Sequence, residues 1–208
     1  MEKFSITRLE EARRNPAIFA KSLKTPSENS PRFSKFMAWR NSVFYYHNEK
    51  NLNKSIVYLN DTYLRNFADN VRNRNELEGY IQSLNNYVEE ISRRKIHHFK
   101  SKERISLTIK PNLNISGEAP LIFVNQVLGY DIYFLSKEDY DWSDELKFPI
   151  IQGYFAEFFD CQVSEVNVGI FSAESDSFYS KSFEEEDIKQ YYGELNEICE
   201  EIVLNLED

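Results

Sequence analysis

The stretch that decides the fold is residues 105–135, ISLTIKPNLNISGEAPLIFVNQVLGYDIYFL. Ile105, Leu107 and Ile109 alternate with polar residues, as in a half-buried strand, and Pro111 stops them. Leu113 and Ile115 open a second strand that resumes from Leu121 to Val124. A turn is expected near residues 125–129, then a third strand from Tyr130 to Leu135.

Helical signals lie on both sides. Upstream, Asn75 reads as an N-cap with Glu78 three residues on, and Leu77, Ile81, Leu84, Val88 and Ile91 follow on one helical face. That helix ends in Arg93-Arg94-Lys95, cations suited to the negative end of the helix dipole. Downstream, residues 145–159 are strongly apolar, and Pro149 sets the helix start near Phe148. Val166, Val168 and Ile170 alternate again. Ser182-x-x-Glu185 fits a capping box opening a last helix with Leu195, Ile198, Cys199, Ile202 and Leu206 inward.

Closer to the start, Thr7-x-x-Glu10 fits another capping box, and Asn15-Pro16 restarts the helix with Ile18, Phe19 and Leu23 facing a core. Residues 25–31, TPSENSP, read as a loop. Two more helices are expected, one from Phe33 onward and one over 54–69, the latter with Ile56, Leu59, Tyr63 and Phe67 on one side. The expectation is an α/β (α+β) single domain over 1–208. Residues 1–74 form a helical subregion, and residues 75–208 an α-β-β-β-α-β core with a mixed sheet and a C-terminal helix.

Composition narrows the function. The 208 residues are 41% hydrophobic and 15% aromatic, too apolar for a disordered chain. No apolar run is long enough to span a membrane, and the opening MEKFSITRLEEARRNP has no apolar signal region, so a cytoplasmic protein with no membrane partner is expected. Cys161 and Cys199 have no metal-ligand spacing. The net charge of −9 divides unevenly: residues 1–110 carry 21 Lys+Arg against 12 Asp+Glu, and residues 111–208 carry 4 against 22. That boundary falls inside the expected sheet, so the split describes two faces of one fold.

The α-β-β-β-α-β order resembles the core of the PD-(D/E)XK nuclease superfamily, in particular the RecB-like and CRISPR-associated exonucleases. The segment 4–23, FSITRLEEARRNPAIFAKSL, is similar to their N-terminal helix, with Ser5-x-x-x-Leu9 followed by Pro16. Gly117-Glu118-Ala119-Pro120 resembles the G-x-I-D of the second strand, with Pro120 where the metal-binding Asp belongs. On the third strand, Phe134 stands at the acid and Ser136 at the lysine. Gln152 matches the helical glutamine, and Ala156 stands where a Tyr is expected. The resemblance implies a nuclease-like framework with a degenerate centre and no cofactor, since Pro and Phe side chains cannot ligate Mg²⁺. It also implies DNA as a partner and, by analogy, a setting such as phage defence or a mobile element.

A second alignment keeps an active site. Asp131, Glu145 and Lys147 give D-x13-E-x-K, with Gln152 following, and would serve an active Mg²⁺-dependent DNase. The competing reading of Asp144 and Glu145 is a solvated helix start. Nucleic acid is expected to meet the basic half through Arg13, Arg14, Arg93, Arg94, Lys95, Lys100 and Lys102. Arg8, Lys21, Lys24, Arg32, Lys35 and Arg40 could wall a groove over the sheet. His97-His98 is not expected to bind a metal, and His47 reads as a surface or boundary residue. A third possibility is an interaction or inhibitor module that meets a partner protein through the acidic C-terminal half.

Overall fold

A computed structural model describes residues 2–25, 33–126 and 129–207. Within them lie seven α-helices and a mixed six-stranded sheet. In chain order they are β1 (Glu2–Ser5), a 3-10 turn (Ile6–Arg8), α1 (Leu9–Arg14), α2 (Pro16–Lys24), α3 (Lys35–Glu49), α4 (Leu52–Asn66), α5 (Val71–Arg94), β2 (His97–Lys110), β3 (Leu113–Val124), β4 (Tyr130–Ser136), α6 (Lys147–Phe158), β5 (Val166–Ser172), β6 (Ser177–Lys181) and α7 (Glu185–Glu207). The order α5-β2-β3-β4-α6-β5 is the expected α-β-β-β-α-β unit. Arg32 and most of the 25–31 loop lie outside the described residues, as does part of the 125–129 turn.

Sequence signals set most boundaries. Asn15 caps α2, its side chain accepting from the Ile18 amide, with Pro16 at the first helical position. Asn51 and Asn70 cap α4 and α5 in the same way. The cap of α5 is thus Asn70 rather than Asn75, because an earlier Asn was free to take the amide of Asn73. Two strands escape the alternation pattern. β1 is only four residues, and β6 is a short edge strand with Phe178 as its one buried residue. The first 74 residues are therefore not purely helical. Ile18 is 65% exposed rather than inward.

β3 is the axis of the sheet. β2 pairs with it antiparallel along its length. The opposite edge of β3 is shared: β1 runs parallel to residues 113–116, and β4 runs antiparallel to residues 121–124. The sheet forks where these two part, over Gly117-Glu118-Ala119-Pro120. β4 continues through the α6 crossover to parallel β5, and β6 closes the edge.

Two apolar cores cover the two faces. One joins Phe4, Ile6, Leu9 and Phe19 to α6 and α7 through Ile105, Ile115, Ile132 and Val168. The other joins α3, α4 and α5 to Leu121, Phe123, Tyr133, Phe171 and Phe178, with Trp39 stacked 5.9 Å from Phe171. Side-chain alternation in β3 inverts at the fork. Ile115 and Ala119 belong to the first core, yet Leu121 and Phe123 belong to the second. On β2 the same step contains Lys102, which has a left-handed φ of 57°.

Candidate functional site

The fork in the sheet holds a cavity of about 790 Å³. Its floor is the middle of β2 and β3, from Lys102 to Ser106 and from Ser116 to Pro120. β1 and the turn after it supply Lys3, Ser5 and Thr7, α3 supplies Arg40 and Phe44, and β4 supplies Phe134. Gly117 is required here, since a Cβ would collide with the side chain of Ile6 where the 3-10 turn crosses the strand.

The cavity is cationic. Lys3, Arg40, Lys102 and Arg104 line it, against Glu118 as its one carboxylate. Arg104 stands opposite Glu118 in the β2–β3 register. Among the described residues none of these four cations forms an ion pair. The Arg40 Nε is buried without a hydrogen-bond partner, and the Lys102 ammonium sits 4.6 Å above the Phe44 ring. Buried donors left without partners are costly, so a site of this kind favours an incoming acceptor.

Two of the three positions at which the nuclease motif is lost, Pro120 and Phe134, line this cavity. The third, Ser136, does not line it, and its hydroxyl donates to the Glu138 carbonyl. With Glu118 as the sole carboxylate, the cavity residues do not fit a Mg²⁺ ion, which needs several hard oxygen ligands. Among the described residues no group of three or more His, Cys, Asp and Glu side chains could hold a metal ion.

The alternative set Asp131, Glu145 and Lys147 does not come together. Side chains on β4 alternate: Ile132 and Phe134 pack on the α6 face, while Tyr133 and Leu135 pack on the α3–α5 face. Asp131 shares the second face with Tyr133, where its Oδ1 accepts from Asn125 Nδ2 (3.1 Å) and Asn167 Nδ2 (2.8 Å). Lys147 lies on the other face, 5.5 Å over Phe134 and 4.8 Å over Phe148, paired to Glu145 at 2.5 Å. Gln152 is fully buried and fully used. Its Nε2 donates to Val163 O, Ser182 Oγ and Phe183 O, and its Oε1 accepts from Phe183 N at 2.8 Å. It fastens α6 to the segments before β5 and α7.

The basic candidates separate in the same way. Arg13 makes a two-pronged pair with Glu194 (2.6 and 3.1 Å) and a bond to the Asp144 carbonyl, tying α1 to α7. Arg93 and Arg94 both close on Glu90, and Arg94 also donates to the Phe178 carbonyl. These hydrogen bonds, Arg93's first, hold the Glu90 carboxyl down to about 2 despite partial burial. Lys100 pairs with Glu103, and Lys35 with Glu76. Arg14 and Lys95 are exposed. Of the seven candidates only Lys102 lines the cavity, and of the groove-wall candidates among the described residues only Arg40 does. Lys3 and Arg104 are added by the fold alone, since pairing of β1 with β3 is invisible in local sequence.

His47 is buried rather than at the surface (3% exposed). Its ring stacks on His98 at 4.1 Å, and its Nε2 is 2.7 Å from Tyr87 Oη. Burial, then the neighbouring His98 and Lys50, hold His47 down to about 2, and burial then Lys50 hold His98 down to about 4. Both rings are therefore neutral at neutral pH.

No known family profile matches the chain, and no curated protein matches it. Among solved structures, the crystal structure of SSO0001 is 12% identical with a TM-score of 0.34, covering 95% of this chain and 86% of that one. At that score the likeness carries no functional argument.

Proposed function

We propose that this protein binds DNA in the cationic cavity at the fork of its sheet, as a catalytically degenerate member of the PD-(D/E)XK nuclease-like framework. The observation that carries this reading is the lining itself. Pro120 and Phe134 stand in the cavity at positions where that framework keeps acidic metal ligands, surrounded by Lys3, Arg40, Lys102 and Arg104 without acid partners. Cations that do not pair internally are available to phosphate oxygens. Without converging carboxylates the cavity has no ligand set for a hydroxide-generating metal ion, which favours binding as the output. The exposed acids of α7, Glu185, Glu186, Asp187, Glu197, Glu200 and Glu201, repel phosphate and leave the cationic cavity as the favourable surface.

The test is a salt titration of DNA affinity. Four phosphate contacts give a slope of log affinity against log salt of roughly −3 to −4. DNA incubated with the protein and Mg²⁺ or Mn²⁺ should stay intact. A salt-independent affinity, or cleavage lost on replacing Lys147, would overturn the proposal.

A further inference from the structure

Two histidine rings hold the end of α3 on the start of β2. His47, in the last turn of α3, is buried, and its ring stacks on His98 of β2 at 4.1 Å and 19°. Phe123 of β3 meets both rings edge-on, at 5.5 and 5.9 Å. Arg40, Phe44 and His47 share one face of α3, since each lies three or four residues from the next. Arg40 and Phe44 line the cavity, and the Lys102 ammonium lies over the Phe44 ring. The contact of Phe44 with Lys102 and the stack of His47 on His98 therefore fasten the same helix to the same strand.

The surroundings of the pair suit neutral rings. The His47 Nε2 is 2.7 Å from Tyr87 Oη, and its Nδ1 is buried with no hydrogen-bond partner. The His98 Nε2 is 2.8 Å from Ser101 Oγ, and its Nδ1 faces the Lys50 ammonium at 3.5 Å. Lys50 is the left-handed C-cap of α3, so its charge arrives with the helix end. α3 also presents Tyr46 to His47, edge-on at 5.3 Å, α5 presents Tyr87, and β3 presents the Phe123 ring. Among the described residues, the charged groups that act on the pair are Lys50 and the rings themselves, with no carboxylate among them. A second proton on His47 would place an N–H with no acceptor in the core. One on His98 would face an ammonium, and two stacked imidazolium rings would repel each other.

We propose that the His47–His98 stack is an acid-sensitive clasp on the cavity wall: a proton on either ring frees the end of α3 from β2 and carries Phe44 and Arg40 away from Lys102 and Arg104. The effect on the cavity rests on the DNA-binding reading, whereas the release of the helix end does not. A released imidazole in water titrates near its ordinary value of about 6.5. Acidification from pH 7 to pH 5 therefore favours the released form by roughly 20-fold for one ring, and by more for two.

The experiment follows hydrogen exchange of the whole protein at pH 7 and pH 5, corrected for the chemical exchange rate at each pH. Residues 43–50 should lose roughly 20-fold or more of their protection on acidification, while β5 keeps its own. H98F keeps a ring in the stack and cannot take a proton, so it should lose much less. Equal protection of residues 43–50 at the two pH values, an equal loss in β5, or an undiminished loss in H98F overturns the clasp. Affinity for a DNA duplex, measured at fixed salt, is the second arm. It should fall severalfold between pH 7 and pH 5 in the wild type and change less in H98F. Exchange that responds to pH while affinity does not overturns the control of the cavity. Failure to bind DNA at either pH overturns the cavity reading, and the exchange data then decide the clasp on their own.

Discussion

The end of α5 and the fork of the sheet are both basic, yet their cations behave differently. At the end of α5, Arg93 and Arg94 find Glu90 three and four residues back on their own helix. A helix presents such neighbours automatically, so its cations are satisfied locally. At the fork, Lys102 and Arg104 lie on a strand, and cross-strand and tertiary neighbours decide their pairing. There the edge of β3 is left uncovered between β1 and β4, and Lys3 and Arg40 arrive from other elements with the same sign of charge. Charge density along a chain is thus a poor guide to available charge, and the difference lies in what each backbone brings opposite a side chain.

That contrast can be broken by substitution. The largest effect belongs to K102E/R104E, which should weaken DNA binding on the order of 100-fold at low salt and reduce the salt slope, with little change in stability. R94A should do the reverse. It leaves Glu90 and the Phe178 carbonyl short of a donor, and should cost about 2 kcal/mol in urea denaturation with DNA affinity unchanged. Parallel losses of affinity and stability in both variants would erase the distinction.

Two smaller effects are read from pH. The Glu90 carboxyl is held below its ordinary range, so its contribution is complete above about pH 4.5 and is lost as pH falls toward 2. E90Q should flatten the stability profile in that window. His98 is also held down, to about 4 from 6.5. The unfolded chain takes up the proton first, so stability is full above pH 6.5 and declines as pH falls toward 4. H98F should shrink the drop in melting temperature between pH 7 and pH 5 by roughly 3 °C.

Much of the architecture was legible because it is local. The spacing of Leu77, Leu84 and Ile91 gives α5, the alternation of Ile105, Leu107 and Ile109 gives part of β2, and Asn15-Pro16 gives the start of α2. What escaped is non-local. β1 is a strand only because residues 113–116 lie beside it, and β3 runs unbroken through Gly117–Pro120 because β2 holds it there. The candidate site divides in the same way. Pro120 and Phe134 were readable by their place in the strands, whereas Lys3 and Arg104 became part of the cavity only through pairing. Asp131 and Lys147 looked compatible by spacing, but strand alternation sends them to opposite faces of the sheet.

The parallel pairing of β1 with β3 also sets an order of events in time. The partners of residues 2–5, at 113–116, are synthesised more than a hundred residues after them. Contacts of such long range come late and slow the approach to the native state. Because β1 and the turn after it contribute Lys3, Ser5 and Thr7, the cavity stays incomplete until that closure. The cationic wall thus depends on a segment that must wait for a strand made long after it.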